Sequence, residues 1–456
     1  MAYSSRRVPN ALTWLFLAAL GAASVTRLWL AARQIRHVSA HRASVPPSFA
    51  DSIPLAAHQK AADYTAAKTR LGMIDLAVGV ATLLVLTLGG LIQWLSQAWS
   101  ALFATGSIAH GTALLLSIVF VQALIGLPLV AYRTFGIEAR YGFNRMTVRL
   151  FIADLVRHAV VGLVLGVPLL LAVLWLMGKM GTYWWLYVWL VWVAYSAALV
   201  MIYPAFIMPF FNKFTPITEG ELASRVARLL ERCGFKSSGL YLMDGSKRSS
   251  HGNAFFTGFG AAKRIVLFDT LVSRLQPPEV EAVLAHELGH YRLHHITKQM
   301  ALSAVISLAV LAVLGQLIDR DWFYTGLGVA TPSHAAALAL FMMVLPEFLF
   351  FVQPLTSRYS RRREYEADAY AVSHASPQEL VRALVKLYKD NAATLTPDPL
   401  HSAFYDSHPP AAMRIAKLGE MRASMRSPSW MSSRPGSANP AKAALRPTPH
   451  NRRTTC

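Results

Sequence analysis

Cysteine is almost missing from this 456-residue chain: there are two, Cys233 and Cys456. Two such residues supply neither a disulfide framework nor a Cys-based metal site. The closing Thr-Thr-Cys is not a prenylation box, because nothing follows its Cys456. Charge is scarce as well, at 15% of residues against roughly 25% in an ordinary soluble domain. The acidic sign is the scarcer one, with 24 Asp and Glu against 44 Lys and Arg, a net charge of +20. In a chain that is 54% hydrophobic, with positive mean hydropathy, membrane topology explains that excess, and nucleic acid is not an expected partner. No Ser or Cys nucleophile motif is present either.

What the chain does have is long apolar runs. Segments of about 20 apolar residues are long enough to cross a bilayer. Seven are read here: Ala11–Ala31, Met73–Leu95, Thr112–Ala131, Val160–Met177, Tyr183–Phe206, Met300–Ile318 and Ala335–Val352. The first lacks a clear cleavage site and runs into Arg33 and Arg36, so it reads as a retained anchor. Arg33, Arg36, Arg42, Lys60, Lys68 and Arg70 fill the loop after it, and Arg133, Arg140, Arg145, Arg149 and Arg157 the loop after the third. The intervening loops carry only Lys179 and Arg320. The positive-inside rule then puts the N-terminus outside and the C-terminus in the cytoplasm, against the weight of Arg6 and Arg7. Glu347 falls within the seventh run, where an ionised group is expensive, and is expected to face the bundle interior or water.

Between the fifth and sixth runs stands His286-Glu287-Leu288-Gly289-His290, an HExxH. On a helix, positions i and i+4 share a face, so His286 and His290 can offer two imidazole nitrogens to one metal. Glu287 points to a neighbouring part of that face, where a carboxylate can take a proton from water. Pro277, Pro278, Glu279 and Glu281 suit the start of such a helix. A third His in the pattern HExxHxxGxxH is excluded, because Leu293 and Ile296 stand at its Gly and His positions. His294 and His295 read as solvated or interfacial. A downstream helix offers the alternative ligand. In Arg361-Arg362-Arg363-Glu364-Tyr365-Glu366-Ala367-Asp368, the carboxylates of Glu364 and Asp368 lie at i and i+4. One can bind metal while the other fixes a ligand imidazole, and Glu366 reads as a solvated charge. Three protein ligands leave a fourth position for water.

Two further features keep two readings each. Asn253–Asp269 reads as a β-hairpin, with Gly258 and Gly260 near its turn; its strand either packs or pairs with an extended substrate. Thr218–Cys233 reads as an amphipathic helix, and Gly239–Met243 as a short strand. The turn Ser407-His408-Pro409-Pro410, followed by Arg414, either starts a helix with solvated charges or supplies cations to an oxyanion. Residues from Ser427 to Cys456 read as a basic disordered tail.

The stretches Tyr132–Glu138, Gly142-Phe143-Asn144, Phe211–Pro216, Asn253-Ala254-Phe255-Phe256, Arg264–Leu271, HELGH, Glu364–Asp368 and Ser407-His408-Pro409 occur in one order. In them the chain, from about Leu71 to Leu418, resembles the type I CAAX prenyl endopeptidases, integral-membrane gluzincin zinc metalloproteases. The resemblance implies a mainly α, multi-pass membrane protein. Its seven transmembrane helices would form a barrel around a chamber, joined to a gluzincin-like zinc protease domain with a small β-hairpin or sheet. It implies that His286, His290 and Glu364 bind one Zn2+, that Glu287 is the general base and that Asp368 supports a ligand His. Asn253, Ala254 and Phe255 would lie on a substrate-pairing strand, and His408 and Arg414 would hold substrate or stabilise the oxyanion.

The expected division is spans 1 to 5 in residues 1–210, the first part of the protease domain in 211–298, spans 6 and 7 in 299–353, its second part in 354–424 and the tail in 425–456. The expected partners are the lipid bilayer and a peptide or protein substrate, isoprenylated if the family pattern holds, with the C-terminal tripeptide removed. A short loop between the sixth and seventh spans, and no retrieval signal in the tail, favour a bacterial-type inner membrane over the endoplasmic reticulum. A quality-control zinc protease with non-prenylated substrates is the nearer rival, and a transporter with a structural metal the farther one. Intact Glu287 speaks against the latter, since a structural zinc needs no base.

Overall fold

The computed structural model describes residues 9–257 and 263–426. Arg6, Arg7, the hairpin glycines Gly258 and Gly260, and the tail from Ser427 lie outside the described residues. Seven described helices are long and apolar enough to cross a membrane. They are Ala11–Ala40, Leu55–Leu86, Ile108–Glu138, Val148–Lys179, Gly181–Phe211, His295–Leu317 and His334–His374. Four begin with a side-chain cap on an otherwise unpaired backbone N–H, from Asn10, Ser107, Thr147 and Ser333. The second span differs from expectation. It stops at Leu86, Gly90 takes a left-handed φ of 81°, and Leu91–Ser100 forms a separate short helix. Gly89-Gly90 permits this break inside an otherwise continuous apolar run.

The spans form a closed circuit. The first packs on the second and the seventh, the seventh on the sixth, and so on in turn until the third meets the second again. One end of this ring is plugged. Phe16, Leu86, Leu114, Leu174, Trp184, Leu314 and Leu340 meet there in one apolar cluster, drawn from the starts of odd-numbered spans and the ends of even-numbered ones. Phe323 and Tyr324 of the connecting segment join them. Away from the plug the third to sixth spans bury few side chains, whereas the first goes on burying Ala23, Leu30, Gln34 and Val38. From Val148 to Leu171 the fourth span buries only Asp154, and the apolar window of the fifth buries 0%. A helix in a filled bundle buries a continuous stripe, so the fourth and fifth spans border open space over much of their length. Glu347 does not stand alone in that region: its carboxylate lies 2.8 Å from Arg27 of the first span. Pairing is how an ionised group is kept at membrane depth.

The soluble part is built on a four-stranded sheet of order β1-β2-β4-β3, with β1 at Phe214–Pro216, β2 at Leu240–Met243, β3 at Ala254–Thr257 and β4 at Arg264–Phe268. β4 is central, and its Ile265, Val266 and Leu267 are all buried. β3 pairs antiparallel with β4 and stands at the sheet edge. The amphipathic helix is Gly220–Arg232, packed on the sheet core through Val226 and Leu229. The seventh span does not end at the membrane. It runs on through Phe350–Val352 into Gln353–His374, 41 residues or about 60 Å in all.

Gly328, in the connection that closes the plug, has φ +86°, and a Cβ there would fall on the carbonyl oxygen of Thr87. Gly328→Ala is expected to cost about 1–3 kcal/mol. A thermal midpoint of the detergent-solubilised protein lowered by a few degrees checks this.

Candidate metal centre

The HExxH lies on the helix Pro277–Arg292. Pro277 fits its first position, and the Glu279 carboxylate accepts from the Gln276 backbone N–H at 2.7 Å, closing a capping box. Val280, Ala282, Leu284 and Leu288 anchor one side of it in the soluble core. The opposite side meets the extension of the seventh span. A Cβ on Gly289 would sit 2.9 Å from the Ala367 Cα. Glycine between the two histidines and alanine between the two carboxylates let the backbones approach this closely.

That approach brings three donor groups together. His286 Nε2 lies 3.2 Å from His290 Nε2 and 3.5 Å from Glu364 Oε2, and His290 Nε2 lies 3.3 Å from Glu364 Oε1. The ligand atoms of these three residues lie within 4.8 Å of one another. Glu364 Oε2 is buried without a well-aligned hydrogen bond, although His408 Nδ1 comes within 2.7 Å of it. Two imidazole lone pairs and a carboxylate converging on one point fit the nitrogen and oxygen donor set of a zinc site. On the far side of His286, Asp368 Oδ1 stands 2.9 Å from Nδ1. Holding the Nδ1 proton there leaves the Nε2 lone pair free to coordinate.

Arg414 is not a solvated charge. It is buried, and its guanidinium grips Asp368 with two hydrogen bonds of 2.7 Å each, behind His286. Its partner in the sequence pattern, His408, is different: its side chain is 62% exposed. Glu287, His408 and Arg414 line a cavity of about 490 Å³ with Asn253, Ala254 and Tyr388. Burial pushes the Glu287 carboxyl above the ordinary glutamate range. Asn253 and Ala254 thus reach the same cavity as the metal-ligating set, at the start of the edge strand. Phe255 does not. It packs against Phe268 and Met208 and faces a second, mostly apolar cavity of about 1230 Å³.

Two residues read as peripheral belong to this centre. His295 is buried, with Nδ1 at 3.0 Å from His290 Nδ1 and Nε2 at 3.2 Å from Glu366 Oε2. Glu366 is therefore not a free solvated charge; it also accepts from Arg362 at 3.0 Å. A continuous helix would turn His295 about 140° away from His290. The helix stops instead at Leu293, and His294 takes φ 58°, which folds His295 back under the ligand. A His-His pair after an HExxH, where no other helix breaker stands, was the one signal available.

Residues 34–213 match the family profile described as CAAX prenyl protease N-terminal, five membrane helices, and residues 216–422 match Peptidase family M48. The chain is similar to CAAX prenyl protease 1 of Saccharomyces cerevisiae, 33% identical over 418 residues, which cover 86% of this chain and 91% of that one. It is 36% identical over 314 residues to the CAAX prenyl protease 1 homolog of Arabidopsis thaliana, 68% of this chain and 74% of the relative. Among solved structures, that of S. mikatae Ste24p superposes with a TM-score of 0.84 at 31% identity, over 90% of this chain and 100% of that one. These relatives are eukaryotic, so the bacterial-type inner membrane expected from the short loop and the tail receives no support.

Gly289→Ala is expected to push the two ligand helices apart and to weaken zinc binding about tenfold or more, read by competition with a chromophoric chelator. Gly419→Ala, where an added Cβ meets nothing within 4 Å, is the neutral control.

Proposed function

The chain belongs to the CAAX prenyl protease type of Peptidase family M48, integral-membrane zinc metalloproteases, and from that premise we propose that it removes the C-terminal tripeptide of isoprenylated Cys-a-a-X proteins. The observation that carries this reading is the convergence of His286, His290 and Glu364 beside a cavity that Glu287 and an edge strand share. In this reading the three converging residues hold one zinc ion. Bound there, zinc supplies a Lewis acid that makes water acidic and polarises the scissile carbonyl.

The rest falls to the chain itself. Glu287 takes the proton of the attacking water on its carboxylate and passes it to the departing amine. Its raised pKa makes it a stronger base toward the water proton, and the leaving amine, more basic still, draws that proton from it. Asp368 orients His286, and Arg414, which also lines the cavity, holds Asp368 in place. His408, exposed at the cavity wall, is the group free to turn toward the developing oxyanion. The free edge of β3 lets Asn253 and Ala254 pair with an extended peptide, whose scissile bond then lies over the ligand set.

Two features support an isoprenylated substrate in a membrane setting. The site hangs from the open end of a hollow ring of spans, and the apolar cavity beside Phe255 and Phe256 adjoins the same edge strand. In the orientation read from the basic loops, this end faces the cytoplasm.

Glu287→Gln is expected to leave one zinc per chain and to lower peptide cleavage on the order of 10²–10⁴-fold. Metal analysis beside a fluorogenic peptide assay checks it; transport activity that survives the change would favour a non-enzymatic protein. Given one Cys-a-a-X peptide in farnesylated and unmodified form, the purified protein is expected to cleave the farnesylated form faster. Equal rates would leave a general membrane peptidase.

A further inference from the structure

Every nitrogen of a ligand imidazole that does not face the metal must have a partner, and the two ligand histidines solve this differently. His286 uses the carboxylate of Asp368 directly, at 2.9 Å. His290 has no carboxylate within reach of its Nδ1. That nitrogen meets another imidazole, His295, at 3.0 Å. Nε2 of His290 faces the zinc position, so its single proton is on Nδ1, which makes Nδ1 the donor of this bond. His295 Nδ1 must then accept, and its own proton is confined to Nε2, which points at Glu366 Oε2 at 3.2 Å. Only one arrangement of protons satisfies all three groups. His290 donates to His295, and His295 donates to Glu366.

We propose that His295 is a positioning residue for the zinc ligand His290, fixing its tautomer and ring plane through an imidazole relay that ends on Glu366. The structural basis is specific. His295 is buried, and it is brought under the ligand by the left-handed turn at His294. Its two ring contacts use both nitrogens, in the order the relay requires. Glu366 is itself held by Arg362 at 3.0 Å, so the far end of the relay is a fixed acceptor and not a wandering surface charge. The two ligand histidines are thereby oriented from opposite sides. Asp368 and Glu366, on the same helix as the ligand Glu364, carry one histidine each. A single helix supplies one ligand and aligns the other two.

The inference rests on the zinc reading of the site, and its test reads metal binding rather than activity. Full-length protein in detergent is titrated with zinc against a chromophoric chelator, and the visible absorption of the cobalt-substituted protein is recorded. His295→Asn puts an acceptor oxygen where Nδ1 stood; His295→Leu has the same shape and no acceptor. The Leu variant is expected to bind zinc about 10–100-fold more weakly and to shift the cobalt bands, with the Asn variant within about threefold of the parent. A residue that merely fills space would give equal effects. Equal loss in both variants, or no loss in the Leu variant, overturns the proposal. Should the Leu variant not fold, Glu366→Ala carries the test at a half-exposed position: zinc affinity at least about threefold weaker supports the relay, and unchanged affinity overturns it. A parent protein that binds no zinc would sink the metal reading and this inference together; a zinc-replete parent with indifferent variants sinks this inference alone.

Discussion

Three electron-rich groups held within about hydrogen-bonding distance of each other, with no proton to share among them all, set the terms for the rest of this molecule. Two imidazole nitrogens at 3.2 Å and a carboxylate at 3.3–3.5 Å from them repel one another unless a cation stands between. The fold tolerates that arrangement because the groups are fixed from behind. Asp368 and Arg414 brace His286, His295 and Glu366 brace His290, and the close backbone contact of Gly289 with Ala367 keeps the two helices from drifting apart. Relaxation would cost those bonds, of which the pair between Arg414 and Asp368 is buried. The cluster is poised for a metal before any metal arrives.

The ring of spans follows a different rule. A bilayer demands that backbone groups be satisfied within each helix, but it does not demand that the helices be packed through their length. Here a large apolar cluster closes one end, in the plug of Phe16, Leu86, Trp184 and Leu340, and beyond it the fourth and fifth spans bury little. Several of the charged groups in the open part stand in pairs. Arg27 meets Glu347, and Asp154 meets both Arg157 and Arg248. An arrangement of this kind gives a hydrolytic site access to both water and apolar chains.

Much of this was legible in the residues. The seven apolar runs, the HExxH and the i,i+4 carboxylates at Glu364 and Asp368 all follow from local periodicity, and the structure puts them where a two-helix site needs them. What escaped is what periodicity cannot encode. The second span was drawn through Gly89-Gly90 because hydropathy does not register a left-handed turn. His295 was read as solvated or interfacial, and the single left-handed residue His294 folds it back under His290. Glu366 lay off the Glu364 face and so looked solvated, yet its partner arrives from another helix. For Arg414 the residues left a solvated charge and an oxyanion cation both open, and neither pointed to Asp368, 46 positions away in the chain. Phe255 followed Asn253 and Ala254 in one motif, but from Phe255 onward the strand borders a different cavity.

The unbroken run from the seventh span to the ligand Glu364 makes the site sensitive to the mechanics of the membrane. Glu364 stands twelve residues past Val352, a lever of about 18 Å. A tilt of roughly five degrees at its base would sweep the carboxylate by about 1.5 Å, enough to spoil a coordination shell. Hydrophobic thickness is one of the quantities that sets helix tilt. The lipid around this protein is therefore a mechanical input to its chemistry, and the brace at Arg27 and Glu347, joining the first span to the seventh near that base, resists it.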